Sequence, residues 1–192
     1  MDKILITHHD LDGLGCLLMF PKGLFEVVHH IGYDRIDPLI SQLEDIDDPV
    51  TLYVTDLNFT PAQLTKVMDN PKVKRFFYID HHLTHTEEDE KIFDKIKENQ
   101  ERFNTTIIHD HNKCGTLLCA DFVRSIGVKL TERQSKFAEL VDVYDRWVLD
   151  SPYFEKISYR LNDLFWVFGF EGLRDRLLEN GFNIKDPIFI EA

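Results

Sequence analysis

The sequence predicts an α/β fold: a doubly wound, mainly parallel sheet of about five strands with helices on both faces, followed by a helical C-terminal segment. Two observations carry this. Short runs rich in β-branched and aromatic residues alternate with helical patterns over the first 110 residues, and from residue 114 onward the pattern is helical throughout. A chain of 192 residues with 43% hydrophobic residues suits one main domain with at most a small appendage.

The strands are read in order as "ILIT" (4–7), "FEVVHH" (25–30), "TLYVTD" (51–56), "FFYID" (76–80) and "TTIIHD" (105–110). Between them "GLGCLLMF" (13–20), "IDPLISQLEDI" (36–46), "TPAQLTKVMDN" (60–70) and "EEDEKIFDKIKENQERF" (87–103) read as helices. Thr60 before Pro61 is a helix start, a capping residue followed by proline at the first helical position. The charged run at 87–101 sets opposite charges at helical spacing and reads as a solvated helix. Beyond residue 114 come "CGTLLCADFVRSIG", "TERQSKFAELVDVYDRWVL", "YFEKISYRLNDLFWVF" and "EGLRDRLLENG", and the glycine of "ENGFNIKDP" reads as a helix C-cap before an extended tail. Residues 1–152 are expected to form the main domain and 153–192 a helical extension, linker or cap.

Composition narrows the partners. The net charge is −12 and the Lys and Arg residues are scattered, which argues against tracking along long nucleic acid. A small phosphorylated substrate remains compatible, since bound divalent cations reverse the local charge of an acidic site. Three cysteines without a CxxC pair indicate neither a disulfide framework nor a thiolate zinc site, and a reducing compartment fits. With no signal-like start and no apolar run near the roughly 18 residues of a membrane span, a cytoplasmic protein is expected. Oligomeric state is not legible.

The nine histidines need a reason, and strand ends supply one. After "ILIT" comes "HHDLDG", after "TLYV" comes "TDLN", and after "FFYI" comes "DHH". Parallel strands gather their carboxyl ends at one edge, so His8, His9, Asp10, Asp12, Asp56, Asp80, His81 and His82 are expected to converge. Carboxylates so crowded raise one another's pKa values unless one or two divalent cations neutralise them. Asp10 and Asp12, two apart, would face the same way in an extended segment, with Gly13 permitting a tight turn into the next helix. Mixed carboxylate and imidazole donors suit manganese, iron or zinc better than calcium or magnesium.

"HHDLDG", "TDLN", "DHH" and the later "VDVYDRW" resemble, in order and approximate spacing, the four motifs of the DHH phosphoesterase superfamily. That superfamily includes RecJ-type exonucleases, nanoRNases, cyclic dinucleotide phosphodiesterases, family II pyrophosphatases and exopolyphosphatases. The resemblance covers roughly residues 1–152, and "CGTLLCADFV" is similar to the helix between the third and fourth motifs. It implies two manganese ions, with magnesium or cobalt as substitutes. Asp10 and a motif-one histidine would hold one ion, Asp12 and His81 the other, with Asp56 and the motif-four aspartate shared. Asp80 would orient a ligand imidazole, and His82 would face the substrate phosphate.

Two departures leave alternatives. The usual motif-one histidine position is Ile6 here, so a shorter histidine-x-aspartate form selects His8, with His9 second. Motif four offers Asp142 and Asp145, one turn apart, and the "DRWVLDSP" spacing favours Asp145. The implied activity is hydrolysis of a phosphodiester or terminal phosphate of a small nucleotide or short oligonucleotide, nearest the nanoRNase and cyclic nucleotide phosphodiesterase branch. Alternatives are a pyrophosphatase or exopolyphosphatase, for which no basic cluster accompanies the motifs, and a catalytically silent nucleotide-binding module. The glycine-rich "GGGH"-type motif of a second substrate-gripping domain does not occur.

Other candidates have plainer readings. His29, His30, His85, His109 and His111 are expected at strand ends or in loops without an assigned role. Tyr144, Trp147 and Trp166 sit at helical spacing and read first as core or domain-contact residues, with base stacking as the functional alternative. Cys114 and Cys119 read as packing residues.

Overall fold

The structure is a computed structural model, and it describes residues 1–83 and 86–184, with the backbone alone at position 102. His85 therefore lies outside the described residues, as does the tail beyond 184. Five strands form one parallel sheet: β1 (Asp2–His8), β2 (Val27–Ile31), β3 (Val50–Thr55), β4 (Val73–Asp80) and β5 (Thr105–His109), in the order β2-β1-β3-β4-β5. This is a doubly wound order whose direction reverses between β1 and β3, and the crevice beyond that switch is where such sheets bind ligands. Thr7 pairs with Thr55, their hydroxyls 2.9 Å apart, so His8, the last residue of β1, and Asp56, the first beyond β3, follow at the same edge. Thr55 pairs in turn with Ile79, which brings Asp80 and His81 to the same edge.

By its contacts the chain falls into two compact units, Met1–His8 with Lys22–Asn112, and His9–Pro21 with Lys113–Ala192. The first contains the sheet with α2 (Ile36–Glu44), α3 (Pro61–Asp69) and α4 (Glu87–Glu98). One face of the sheet buries Ile4, Ile6, Leu52, Val54, Phe76, Tyr78 and Ile107 against Leu39, Ile40, Leu64, Val67 and Phe93 of those helices. Burying each such side chain contributes about 1.5–3 kcal/mol. The opposite face, with Leu5, Tyr53, Phe77 and Ile79, is buried as well. Helix α3 opens with the expected cap: Thr60 accepts from the Gln63 N–H, Gln63 accepts from the Thr60 N–H, and Pro61 follows. In α4 only Phe93 is buried, which fits a solvated charged helix.

The second unit is helical: α1 (Leu11–Met19), α5 (Gly115–Ser125), α6 (Glu132–Asp145) and α7 (Tyr159–Glu179), the last preceded by a π-turn at Phe154–Ser158 and kinked at Gly169. Helices α1 and α5 touch closely. A methyl group at Gly15 would stand 2.0 Å from Thr116 Oγ1, so only glycine permits the approach. Helix α7 ends with Gly181 in the left-handed region, and the Phe182 N–H reaches Leu177 O at 2.8 Å, as the C-cap reading requires. Among the described residues, no helix is long and apolar enough to cross a membrane.

Candidate functional site

In the first unit the histidine pair after β4 meets the acid after β3. His81 Nε2 lies 3.2 Å from Asp56 Oδ1, and one donor atom from each of Asp56, His81 and His82 falls within 4.8 Å of the others. Asp56 is 1% exposed and holds φ at 54°, a left-handed conformation that aspartate adopts more readily than most residues. A carboxylate and two imidazoles so gathered form a donor set suited to a divalent transition metal.

Asp80 stands behind the pair. It is buried at the end of β4 and its Oδ1 accepts from His82 Nδ1 at 2.8 Å, while its Oδ2 lies 3.0 Å from the Tyr78 hydroxyl. That hydroxyl is also 3.0 Å from Leu57 O and accepts from the Phe59 N–H. Its single proton serves one oxygen at a time. Burial opposes ionisation of Asp80, but the His82 hydrogen bond, the His82 and His81 charges and the Tyr78 hydroxyl outweigh it and hold the carboxyl below its ordinary value of 3.8. The hydrogen bond of Asp80 is to His82, the imidazole expected to face the phosphate, whereas the resemblance implied that Asp80 orients a metal-ligating imidazole.

A depressed carboxyl binds its proton less readily folded than unfolded. Its stabilising share is complete above the unfolded pKa and is lost as pH falls through the folded one. Asp80→Asn should remove that share. Between about pH 5 and pH 3 the urea midpoint of the wild type should fall further than that of the variant. Parallel declines would mean that Asp80 is not held ionised by its neighbours.

Two residues complete this side of the site without having been singled out for it. Tyr33, just past β2 and 47% exposed, bonds His82 Nε2 through its hydroxyl at 3.0 Å and sets its ring 4.9 Å from that of His8. A polar aromatic residue directly after a strand beside β1 was the available signal. His109, at the end of β5, bonds the His82 carbonyl through Nε2 at 2.7 Å and packs on Phe93, so it supports the DHH backbone. His29 and His30 are half-buried on β2, and burial lowers the His29 pKa, with His30 adding to it.

In the second unit the two motif-one acids differ: Asp10 keeps an extended backbone as expected, whereas Asp12 is helical. Asp10 is the N-cap of α1 and accepts from the Gly13 N–H at 2.9 Å. That bond starts the helix before Asp12, which therefore lies inside it. Asp12, 2% exposed, accepts from the Gly115 N–H through Oδ2 at 2.7 Å and from the Thr116 N–H through Oδ1 at 2.8 Å. It caps the start of α5 from about a hundred residues away, and the Thr116 hydroxyl returns a bond to the Asp12 carbonyl. Asp142 is similarly engaged: Oδ1 accepts from the Cys114 N–H and Arg146 Nε, and Oδ2 from the second Arg146 nitrogen at 2.7 Å. Asp142 thus serves the fold, and Asp145 is the last residue of α6.

Cys114 is buried at the N-cap of α5. Burial, then the charge and hydrogen bond of Asp12 and the charge of Asp145, push its thiol well above the ordinary range, so it stays protonated and non-nucleophilic. His9 is exposed and meets Phe165 edge-on at 6.2 Å. Phe165 and Phe170 are core residues, but Trp147 and Trp166 are 58% and 64% exposed, so the core reading fails for both tryptophans.

No family model matches the chain. A curated relative, oligoribonuclease NrnB of Bacillus subtilis strain 168, is 27% identical over 200 aligned positions, which cover 97% of this chain and 47% of NrnB. A crystal structure of an uncharacterized protein from Helicobacter pylori G27 shares the fold with a TM-score of 0.63 at 20% identity, over 97% of this chain and 58% of that one. The chain thus spans about half the length of these relatives. Distant as it is, the likeness to NrnB over nearly the whole chain supports the DHH phosphoesterase superfamily, to which the order of the four motifs already pointed.

Proposed function

We propose that the chain is a metal-dependent phosphoesterase that hydrolyses a phosphodiester or terminal phosphate of a small nucleotide or short oligonucleotide. The observation that carries this reading is the gathering of Asp56, His81 and His82 beyond β3 and β4, with His82 held by a buried acid. The name of the 27% identical relative, an oligoribonuclease, supports the substrate class. Asp56 and His81 would hold a divalent cation. The motif resemblance adds His8, Asp10, Asp12 and Asp145 as further ligands, with His9 as the alternative to His8. The Asp142 clamp on Arg146 supports Asp145 as the motif-four ligand. The finer form of the proposal has two manganese ions, a catalytic segment at 1–152 and a helical extension after it. The three cysteines are buried and none is in a disulfide, which supports a reducing, cytoplasmic setting.

The bound cation would supply Lewis-acid charge and water activation. The chain's own groups do the rest. Phosphoryl oxygens only accept hydrogen bonds, so His82 can donate to one from Nε2 only as an imidazolium, and Asp80 at Nδ1 is the group that stabilises that charge. Tyr33, now on Nε2, can turn its hydroxyl to the same oxygen.

The test is a panel: purified protein with manganese, or stripped with chelator, against a dinucleotide, a longer single strand, a cyclic dinucleotide, a 3′,5′-bisphosphate nucleotide and pyrophosphate. Mononucleotide release from the dinucleotide, lost on stripping and restored by manganese, is expected. Phosphate release from pyrophosphate with the dinucleotide untouched would overturn the substrate class. Nucleotide binding without turnover at saturating manganese would overturn the enzyme.

A further inference from the structure

The helical unit carries an aromatic surface that the chemistry above leaves unused. Helix α6 ends at Asp145, and the chain leaves it through Arg146 and Trp147. The Trp147 N–H bonds Tyr144 O and the Val148 N–H bonds Val143 O, each at 3.0 Å, a closure whose left-handed position is usually given to glycine. Trp147 fills it with φ at 51°. A bulky side chain is unfavourable there, and a departure of this kind points towards function when the side chain has no structural need to be present. The indole is mostly exposed, so core packing does not account for it.

The ring is nevertheless firmly seated. Its centroid lies 5.6 Å from Tyr144 and 5.4 Å from Phe154, and Phe154, buried, stacks on Tyr144 at 12°. Tyr159, 45% exposed, meets Tyr144 edge-on at 6.0 Å. Asp145 is two residues from Trp147, at most about 7.6 Å between α-carbons.

We propose that Trp147, with Tyr144 and Tyr159, is a stacking platform for the nucleobase of the substrate, so that the ligand class is a nucleobase-bearing phosphoester and not an inorganic polyphosphate. The inference rests on the phosphoesterase reading and names its substrate. Every base has a π-face to offer such a surface, whatever its sequence, whereas pyrophosphate has none. A protein partner covering the patch would have to desolvate the neighbouring carboxylates, which is costly without paired cations. A nucleotide brings its phosphate, with the cation, to the acids and its base to the rings.

The experiment uses the full chain with Trp166→Phe, which leaves Trp147 as the sole indole of the two in the sequence. Its fluorescence is titrated with adenosine 5′-monophosphate and with ribose 5-phosphate, in magnesium. Quenching by the nucleotide alone is expected; equal responses to both, or none, would overturn the platform. In parallel, Trp147→Ala should lower kcat/KM for a dinucleotide by roughly tenfold, mainly through KM, and Trp147→Phe should restore most of it. Unchanged KM in the alanine variant would also overturn it. The two readings fail separately: quenching without hydrolysis removes the enzyme and keeps the platform, and hydrolysis without quenching does the reverse.

Discussion

Asp56→Asn is expected to lower dinucleotide hydrolysis by at least about a thousandfold, near 4 kcal/mol of transition-state stabilisation, while leaving the thermal midpoint within about 2 °C of the wild type. The asymmetry follows from where Asp56 sits. Its backbone is left-handed at φ 54°, a region asparagine tolerates as well as aspartate, so the exchange adds no strain. Its side chain is 1% exposed, and the amide fills the same volume and keeps a partner for His81 at the 3.2 Å contact. What disappears is the negative charge that a divalent cation needs. Metal content of the dialysed protein should fall with activity. A variant that turned over dinucleotide at the wild-type rate with manganese would remove Asp56 from the ligand set.

Much of this side of the site was legible in the sequence, because strand order in a parallel sheet converts chain position into place. "TLYVT" and "FFYI" are apolar runs that can only be strands, and the residues that follow them, Asp56 and Asp80–His82, must then stand at one edge. The part that stayed hidden depends on pairings across long stretches of chain. Tyr33 and His82 are 49 residues apart, and no local period relates them. The sequence reads Asp12 as a strand-end acid and, by the motif resemblance, a metal ligand, with no sign of a second, structural role. Its bonds to the N–H groups of Gly115 and Thr116 arise from the α1–α5 crossing, whose only trace in the sequence is the small residue Gly15. Trp147 escaped for the opposite reason. Helical spacing counted it with the core, but the helix ends two residues earlier and a left-handed turn carries the ring outward.

Asp12→Ala is expected to behave quite differently from the Asp56 variant, losing stability as well as activity. Its two oxygens are the acceptors for two buried N–H groups at the start of α5. Truncation strands both, and each unsatisfied buried donor costs about 1–3 kcal/mol. Water cannot readily replace the carboxylate, because α1 and α5 approach so closely that even a methyl group at Gly15 would collide with Thr116. The loss should be about 2–5 kcal/mol, which at about 2–4 °C per kcal/mol for a chain of this size is a fall of roughly 5–15 °C in the thermal midpoint. Asp12→Asn, which keeps one acceptor oxygen and turns the other position into a donor, should fall between the alanine variant and the wild type. Thermal unfolding of the three proteins without added metal separates the two roles, since a residue that served only as a metal ligand would leave these midpoints together. If they coincide, the α5 cap carries no stability and Asp12 belongs wholly to the metal site; if they spread as expected, activity lost at Asp12 has to be read against Asp56→Asn before any of it is assigned to catalysis.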